Sequence, residues 1–246
     1  MSTVEMSGRA YEFGHMETFI SGATIRIREF PNLSAVTDAF GDFRIRVPDG
    51  SLVTPYIETG GGTVTRRPRD GDPFEEESHW NEIDLQTFRT DGEDLRNVNF
   101  QTPPDAEFEA LKALLEVPSG EDGRPLQSVI VTTSSARNVR GVEYETFWER
   151  TPHGVAGATA SADPELPQPV YFNEYVVPDF TRTETSIDGG IIWPIVPSGT
   201  YRITTTSADH RFASFTATCA PGRVVNANPP WGAFELSPGE NEPASC

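Results

Sequence analysis

Apolar and polar residues alternate with a period of two over much of this chain. In Ala23-Thr24-Ile25-Arg26-Ile27-Arg28, Ile25 and Ile27 share one side and the two arginines the other, which is the pattern of a strand with one buried face. Residues 42–47 repeat it, with Phe43, Ile45 and Val47 inward, and Pro48-Asp49-Gly50 then closes a turn. Residues 51–58, the set Ile83, Leu85, Thr87 and Arg89, and residues 126–134 and 143–148 are read as further strands. Gly60-Gly61-Gly62 and residues 66–77 read as loop. One segment, 104–117, has helical spacing through Phe108, Leu111, Leu114 and Leu115. Asp105 and Glu107 fall in its first turn, where the helix dipole favours acids, and Pro118 with Gly120 stops it. The first sixteen residues are polar, show no period and are expected to be loose.

Beyond residue 151 the first half returns. Gly22-Ala23-Thr24 recurs as Gly157-Ala158-Thr159. Residues 37–43 lead to Val47-Pro48-Asp49-Gly50, and residues 186–192 lead to Val196-Pro197-Ser198-Gly199 at the same internal spacing, which equates Thr37 with Ser186. The connection before the second landmark is longer in the later copy. Short strands with turn signals at close spacing point to sandwiches, and self-similarity points to two of them. The expected architecture is all-β. It has a loose start (1–16), one sandwich module (17–102), a linker helix (103–125), a second module (126–237) and a tail (238–246).

The residues that carry the repeated unit are Gly22, Ala23, Thr37, Asp38, Gly41, Phe43, Val47, Pro48 and Gly50. Their pattern resembles the carboxypeptidase regulatory-like domain and the related collagen-adhesin B-type repeats, both prealbumin-like (Ig-like) β-sandwiches. The resemblance covers residues 17–60 well and 150–218 more loosely. It implies non-catalytic modules of secreted or surface proteins that stabilise neighbours or bind sugars and proteins. It also implies an extracellular or periplasmic location after removal of a leader, although the first residues show no basic stretch followed by an apolar one and a cytoplasmic location fits the sequence too. Two departures limit it. Lys112, the only lysine, lies on the helix, so the Lys–Asn isopeptide bond of adhesin repeats is not expected here. No carboxypeptidase zinc pattern is present, and the iron-binding dioxygenases that share this broad sandwich are a fold-level analogy only.

Charge narrows the partners. The formal net charge is −18, which repels nucleic-acid phosphates and anionic membranes at long range. No run of about 18 apolar residues is available to span a bilayer. The acidic balance otherwise reads as a solubility device. Cys219 and Cys246 are the two cysteines; the sequence is equally consistent with one disulfide pinning the tail and with two free thiols.

Candidate chemistry is sparse. Tyr171, Asn173, Glu174 and Tyr175 lie in the stretch that lengthens the second copy, and Asn226, Asn228 and Trp231 lie near the end. Aromatic faces beside amides suit a carbohydrate or small molecule, one to stack on and the other to orient hydroxyls. His79 and His210 could join tyrosines in an iron site. Asp70 and Asp72 open an acidic loop that could hold calcium, although no EF-hand spacing is present. No cofactor is required by any motif, and nucleophile elbows, P-loops and dinucleotide loops are absent. The sequence therefore favours a non-catalytic binding or structural protein with a glycan, small-molecule or protein ligand. The alternative is an enzyme with a Tyr/His metal site or a carboxylate site between the modules.

Overall fold

The computed structural model describes residues 2–58, 62–78, 82–150 and 152–246. The first half contains β1 (Thr3–Glu12), β2 (His15–Ser21), β3 (Thr24–Ile27), β4 (Phe30–Val36), β5 (Asp42–Pro48), β6 (Leu52–Val53), β7 (Pro55–Glu58), β8 (Gly62–Pro68), β9 (Phe74–Ser78), β10 (Glu82–Asp84), β11 (Phe88–Arg89) and β12 (Phe100–Thr102), then α1 (Asp105–Leu114). The second contains β13 (Ser128–Thr133), α2 (Tyr144–Trp148), β14 (Thr159–Asp163), β15 (Val170–Phe172), β16 (Pro178–Asp179), β17 (Gly190–Val196), β18 (Gly199–Thr206), β19 (Phe215–Cys219) and β20 (Val224–Ala227). The fold is all-β, with two short helices among the described residues.

The same pairing scheme occurs in each half. β1 runs antiparallel to β5 and parallel to β12; β13 runs antiparallel to β17 and parallel to β20. β7 is flanked antiparallel by β3 and β10, and β18 likewise by β14 and β19. The halves are then fused, because β10 pairs in parallel with β20. A nine-stranded sheet, β16-β15-β17-β13-β20-β10-β7-β3-β4, therefore runs through both. One hydrophobic cluster follows it across the join, with Ile25, Ile57 and Phe43 from one half and Val129, Ile192 and Val224 from the other.

The entry to each repeat is held by one threonine. Ala23 N–H donates to Thr37 Oγ1 at 3.0 Å, and Gly22 and Thr37 exchange further backbone bonds with this turn. In the second half Ala158 N–H donates to Thr185 Oγ1 at 2.9 Å, with the same backbone bonds around Gly157. Gly22 and Gly157 sit at φ +81° and +75°, left-handed backbone that glycine adopts without steric cost. Thr185, not Ser186, is thus the counterpart of Thr37. The one-residue offset is absorbed by a register shift between Ser128 and Ile130 opposite β17, a bulge that admits one extra residue.

Four local expectations are corrected. Residues 66–77, read as loop, hold the end of β8 and most of β9, which pair antiparallel through Thr65 with Glu75 and Arg66 with Phe74. The opening sixteen residues are not loose: β1 buries Val4, Met6, Ala10 and Tyr11. Its alternation is hidden because Gly8 holds the third inward position, between Met6 and Ala10, where a Cβ would run into the Val98 backbone. Residues 143–148 form α2 rather than a strand, since Thr146 and Phe147 N–H both return to the Glu143 carbonyl, and Tyr144 and Phe147 are buried one turn apart. In α1 the buried line is Phe108, Lys112 and Leu115, while Leu114 is 45% exposed. Lys112 tolerates burial because its ammonium donates to Gly123 O at 2.5 Å and meets Glu109 at 2.7 Å.

Candidate functional site

The outward residues of β1 are Glu5, Ser7 and Arg9; those of β5 opposite them are Arg46, Arg44 and Asp42. Alternation in a strand makes this the face opposite the core. Residues 94–99 run beside β1, tied to it by Ser7 N–H to Leu95 O at 2.9 Å and Arg9 N–H to Asn99 Oδ1 at 3.0 Å. Apart from Arg46, they line an open groove of about 940 Å³ together with residues 140–145 and with Pro230, Trp231 and Phe234.

The groove is polar and pre-set. Arg9 grips Asp42 through two bonds, of 2.6 and 3.0 Å, and reaches Glu145 at 3.3 Å. Its guanidinium also lies over the Tyr144 ring, 4.6 Å from the centroid. Partial burial works against the Arg9 charge, and Asp42 and Glu145 more than restore it. The Glu145 carboxyl is held below its usual range by a backbone N–H at the helix start, and by Arg9. Arg140 pairs with Glu240 at 2.8 Å over the Phe234 ring. Five carboxylates and four guanidinium groups line the groove, so it is close to charge balance on a molecule of net charge −18.

The residues singled out from sequence are dispersed. Trp231 is half-buried on the groove wall; its Nε1 donates to Arg96 O at 2.9 Å and its ring meets Phe88 edge-on. Asn226 is buried, with Nδ2 donating to Gln101 O at 3.2 Å. Asn226 thereby caps a carbonyl of β12 and lies outside the groove's lining, whereas Trp231 caps the Arg96 carbonyl and still lines the groove. Asn228 is buried and bonds locally to Pro229 O. Tyr171 is a core residue, 1% exposed, whose hydroxyl accepts Ala160 N–H, so it is not available to a ligand. Asn173 accepts Tyr175 and Val177 N–H and shapes the β15–β16 loop. Glu174 and Tyr175 are exposed at its tip.

The metal candidates are not brought together. His79 lies outside the described residues. His210 Nδ1 is hydrogen-bonded to Glu235 Oε1 at 2.8 Å, and Arg137 holds the same carboxylate at 2.5 Å. Burial opposes the Glu235 charge, but these bonds win and bring its pKa down to about 2. Asp70 and Asp72 are exposed in the β8–β9 turn. Among the described residues no group of three or more His, Cys, Asp or Glu side chains converges as a metal would require. Cys219 and Cys246 are both free, and burial pushes their thiols up to about 11 and about 12. No helix is long and apolar enough to cross a membrane among the described residues.

The groove itself was missed because its floor lies on the strand read as a loose end. The available signal was the alternation of Glu5, Ser7 and Arg9 with Val4, Met6 and Gly8.

No family model matches the chain, and no curated protein does. Among solved structures, it is similar to the Bacillus anthracis TIE protein at 11% identity and a TM-score of 0.26, covering 96% of this chain and 34% of that one. It is similar to GBS52, the minor pilin of Streptococcus agalactiae, at 8% identity and a TM-score of 0.28, covering 98% and 99%. The shaft pilin spaA of Lactobacillus rhamnosus GG stands at 8% identity and 0.25, covering 96% and 99%. This chain spans about a third of the Bacillus anthracis protein. TM-scores and identities at this level carry neither a fold nor a role from those proteins to this one.

Proposed function

We propose that the chain is an exported, non-catalytic binding protein made of two copies of one β-sandwich unit, the first reaching back to β1, and that its ligand lies in the groove. The matched strand pairings and the paired Thr37 and Thr185 turns support the duplication. The observation that carries the binding role is a contrast between equivalent faces. In the second unit the outward positions of β13 and β17 are Val129, Val131 and Ile192, and they lie beneath Phe108, Leu111 and Leu115 of the α1 segment. In the first unit those positions are Glu5, Ser7 and Arg44, and the face stays open. Outward polar residues alone are the ordinary solvent face of a sheet; what marks this face is its shape and its lining. This one is concave, polar and charge-balanced, with an indole on its wall. Such a surface suits an uncharged, hydroxyl-rich ligand, a glycan above all.

Probing immobilised glycans, small molecules and proteins with the purified chain tests the proposal. The expected result is saturable binding to a neutral glycan, weakened at least tenfold by Trp231→Ala. Absence of a ligand in every class would sink the binding role.

A further inference from the structure

The two units differ at one sheet edge. β17 is flanked on both sides, by β13 and by β15. β15 and β16 lie between Gly157 and Thr185, a stretch much longer than the one between Gly22 and Thr37. β5, the counterpart of β17, has β1 on one side and no strand on the other among the described residues. Ala10 N–H donates to Gly41 O, and β1 and β5 then pair Gly8 with Phe43 and Met6 with Ile45. The alternation of an antiparallel ladder turns the peptide groups of Phe43, Ile45 and Val47 toward β1 and those of Arg44 and Arg46 away from it. Among the described residues, nothing bonds to the outward N–H and C=O groups of Arg44 and Arg46. Both side chains are exposed, that of Arg44 by 79%. Val36, the last residue of β4, and Phe40, in the connection into β5, are 61% and 62% exposed.

An open edge is a template for a further strand. Pairing of β5 with β5 of another copy would set arginine against arginine, which is unfavourable across a ladder. The complementary strand must be acidic, and this chain carries one. β9, Phe74-Glu75-Glu76-Glu77-Ser78, ends its own sheet, with β8 on one side and no strand on the other among the described residues. Its three consecutive glutamates give this strand a formal charge of −3.

We infer that β5 of one copy receives β9 of a second copy as an added strand, with Arg44 and Arg46 matched by the Glu75–Glu77 run. The two surfaces are different patches of the same chain, so the contact is heterologous and joins copies in series. Arg44 also lines the groove, so association is read on the chain without a groove ligand.

Light scattering and sedimentation of the full chain, from micromolar to millimolar, test this. Wild type is expected to form species heavier than the monomer as concentration rises. Arg44→Glu with Arg46→Glu, and Glu75→Arg with Glu76→Arg and Glu77→Arg, are each expected to stay monomeric, and an equimolar mixture of the two to associate again. Arg46→Pro removes an outward N–H together with the Arg46 charge and leaves the bonds of Phe43, Ile45 and Val47 to β1 in place, and it is expected to abolish association while the chain stays folded. A wild type that stays monomeric throughout, or Arg46→Pro protein that assembles like wild type, overturns the inference.

Discussion

Asp188 sits in the turn before β17, where Oδ2 accepts the Gly190 N–H at 3.1 Å. Burial dominates that bond and lifts its pKa from 3.8 to about 6. A folded value above the unfolded one means that the folded chain binds the proton more tightly. The stability this supplies is complete below about pH 4 and is lost as the pH rises through about 6. Asp188→Asn keeps an acceptor and removes the titration. It is expected to be more stable than wild type by about 1–3 kcal/mol above pH 6 and equal to it in acid; thermal melts across the acid range would show the two curves converging as pH falls. At this scale the sequence is a partial guide. Gly22, Ala23, Gly157 and Ala158 were identifiable as a repeated turn because glycine and its neighbours recur in order. Tyr171 and Asn226 looked like ligand contacts because an aromatic or amide that faces the core has the same letter as one that faces out. The partner that settles the matter, Ala160 N–H for one and Gln101 O for the other, is remote in sequence for Asn226 and unpredictable for both.

Elements were legible where the period was unbroken. β3, β13 and α1 fall within the segments predicted for them and β5 runs one residue past its own, since β3 and β5 alternate, β13 is a run of β-branched residues and α1 keeps helical spacing through Phe108 and Leu111. β1 escaped because Gly8 gives no apolar signal where the Val98 backbone needs the room. α2 escaped because five residues hold too little period to separate a helix from a strand. α1 shows what such an element does once formed. Phe108, 7% exposed, faces Val129, Val131 and Ile192 across the small apolar cavity beneath the helix. Phe108→Ala is expected to destabilise the chain by about 3 kcal/mol and to speed amide exchange along β13, which hydrogen-exchange mass spectrometry resolves; protection of β13 equal to wild type would show that α1 does not seal this face.

At the scale of the whole molecule, the join between halves was not legible, because nothing local marks β10 as the partner of β20. The join is also electrostatic. Asp84 of β10 is fully buried and takes two bonds from Arg28, at 3.1 and 2.5 Å, with Arg223 3.8 Å away. Arg28 also contacts Glu82 and stacks 3.6 Å over Tyr56. Removing one partner of a buried pair strands the other, so Arg28→Met is expected to cost about 3–5 kcal/mol. With one sheet and one core crossing the join, both halves should unfold in a single calorimetric transition in wild type and variant alike; two resolved transitions would mean that the halves are separable. One sheet and one core thus run through both halves, and it is the uncovered polar face of the first half that distinguishes them.

That face is tested most directly by filling it. Ser7 lies on the groove floor with its side chain turned away from the core, so Ser7→Trp occupies the groove and removes no core contact. In calorimetric titration with the glycan that wild type binds, Ser7→Trp is expected to lose binding at an unchanged melting temperature; undiminished affinity in the folded variant would contradict the groove as the binding site.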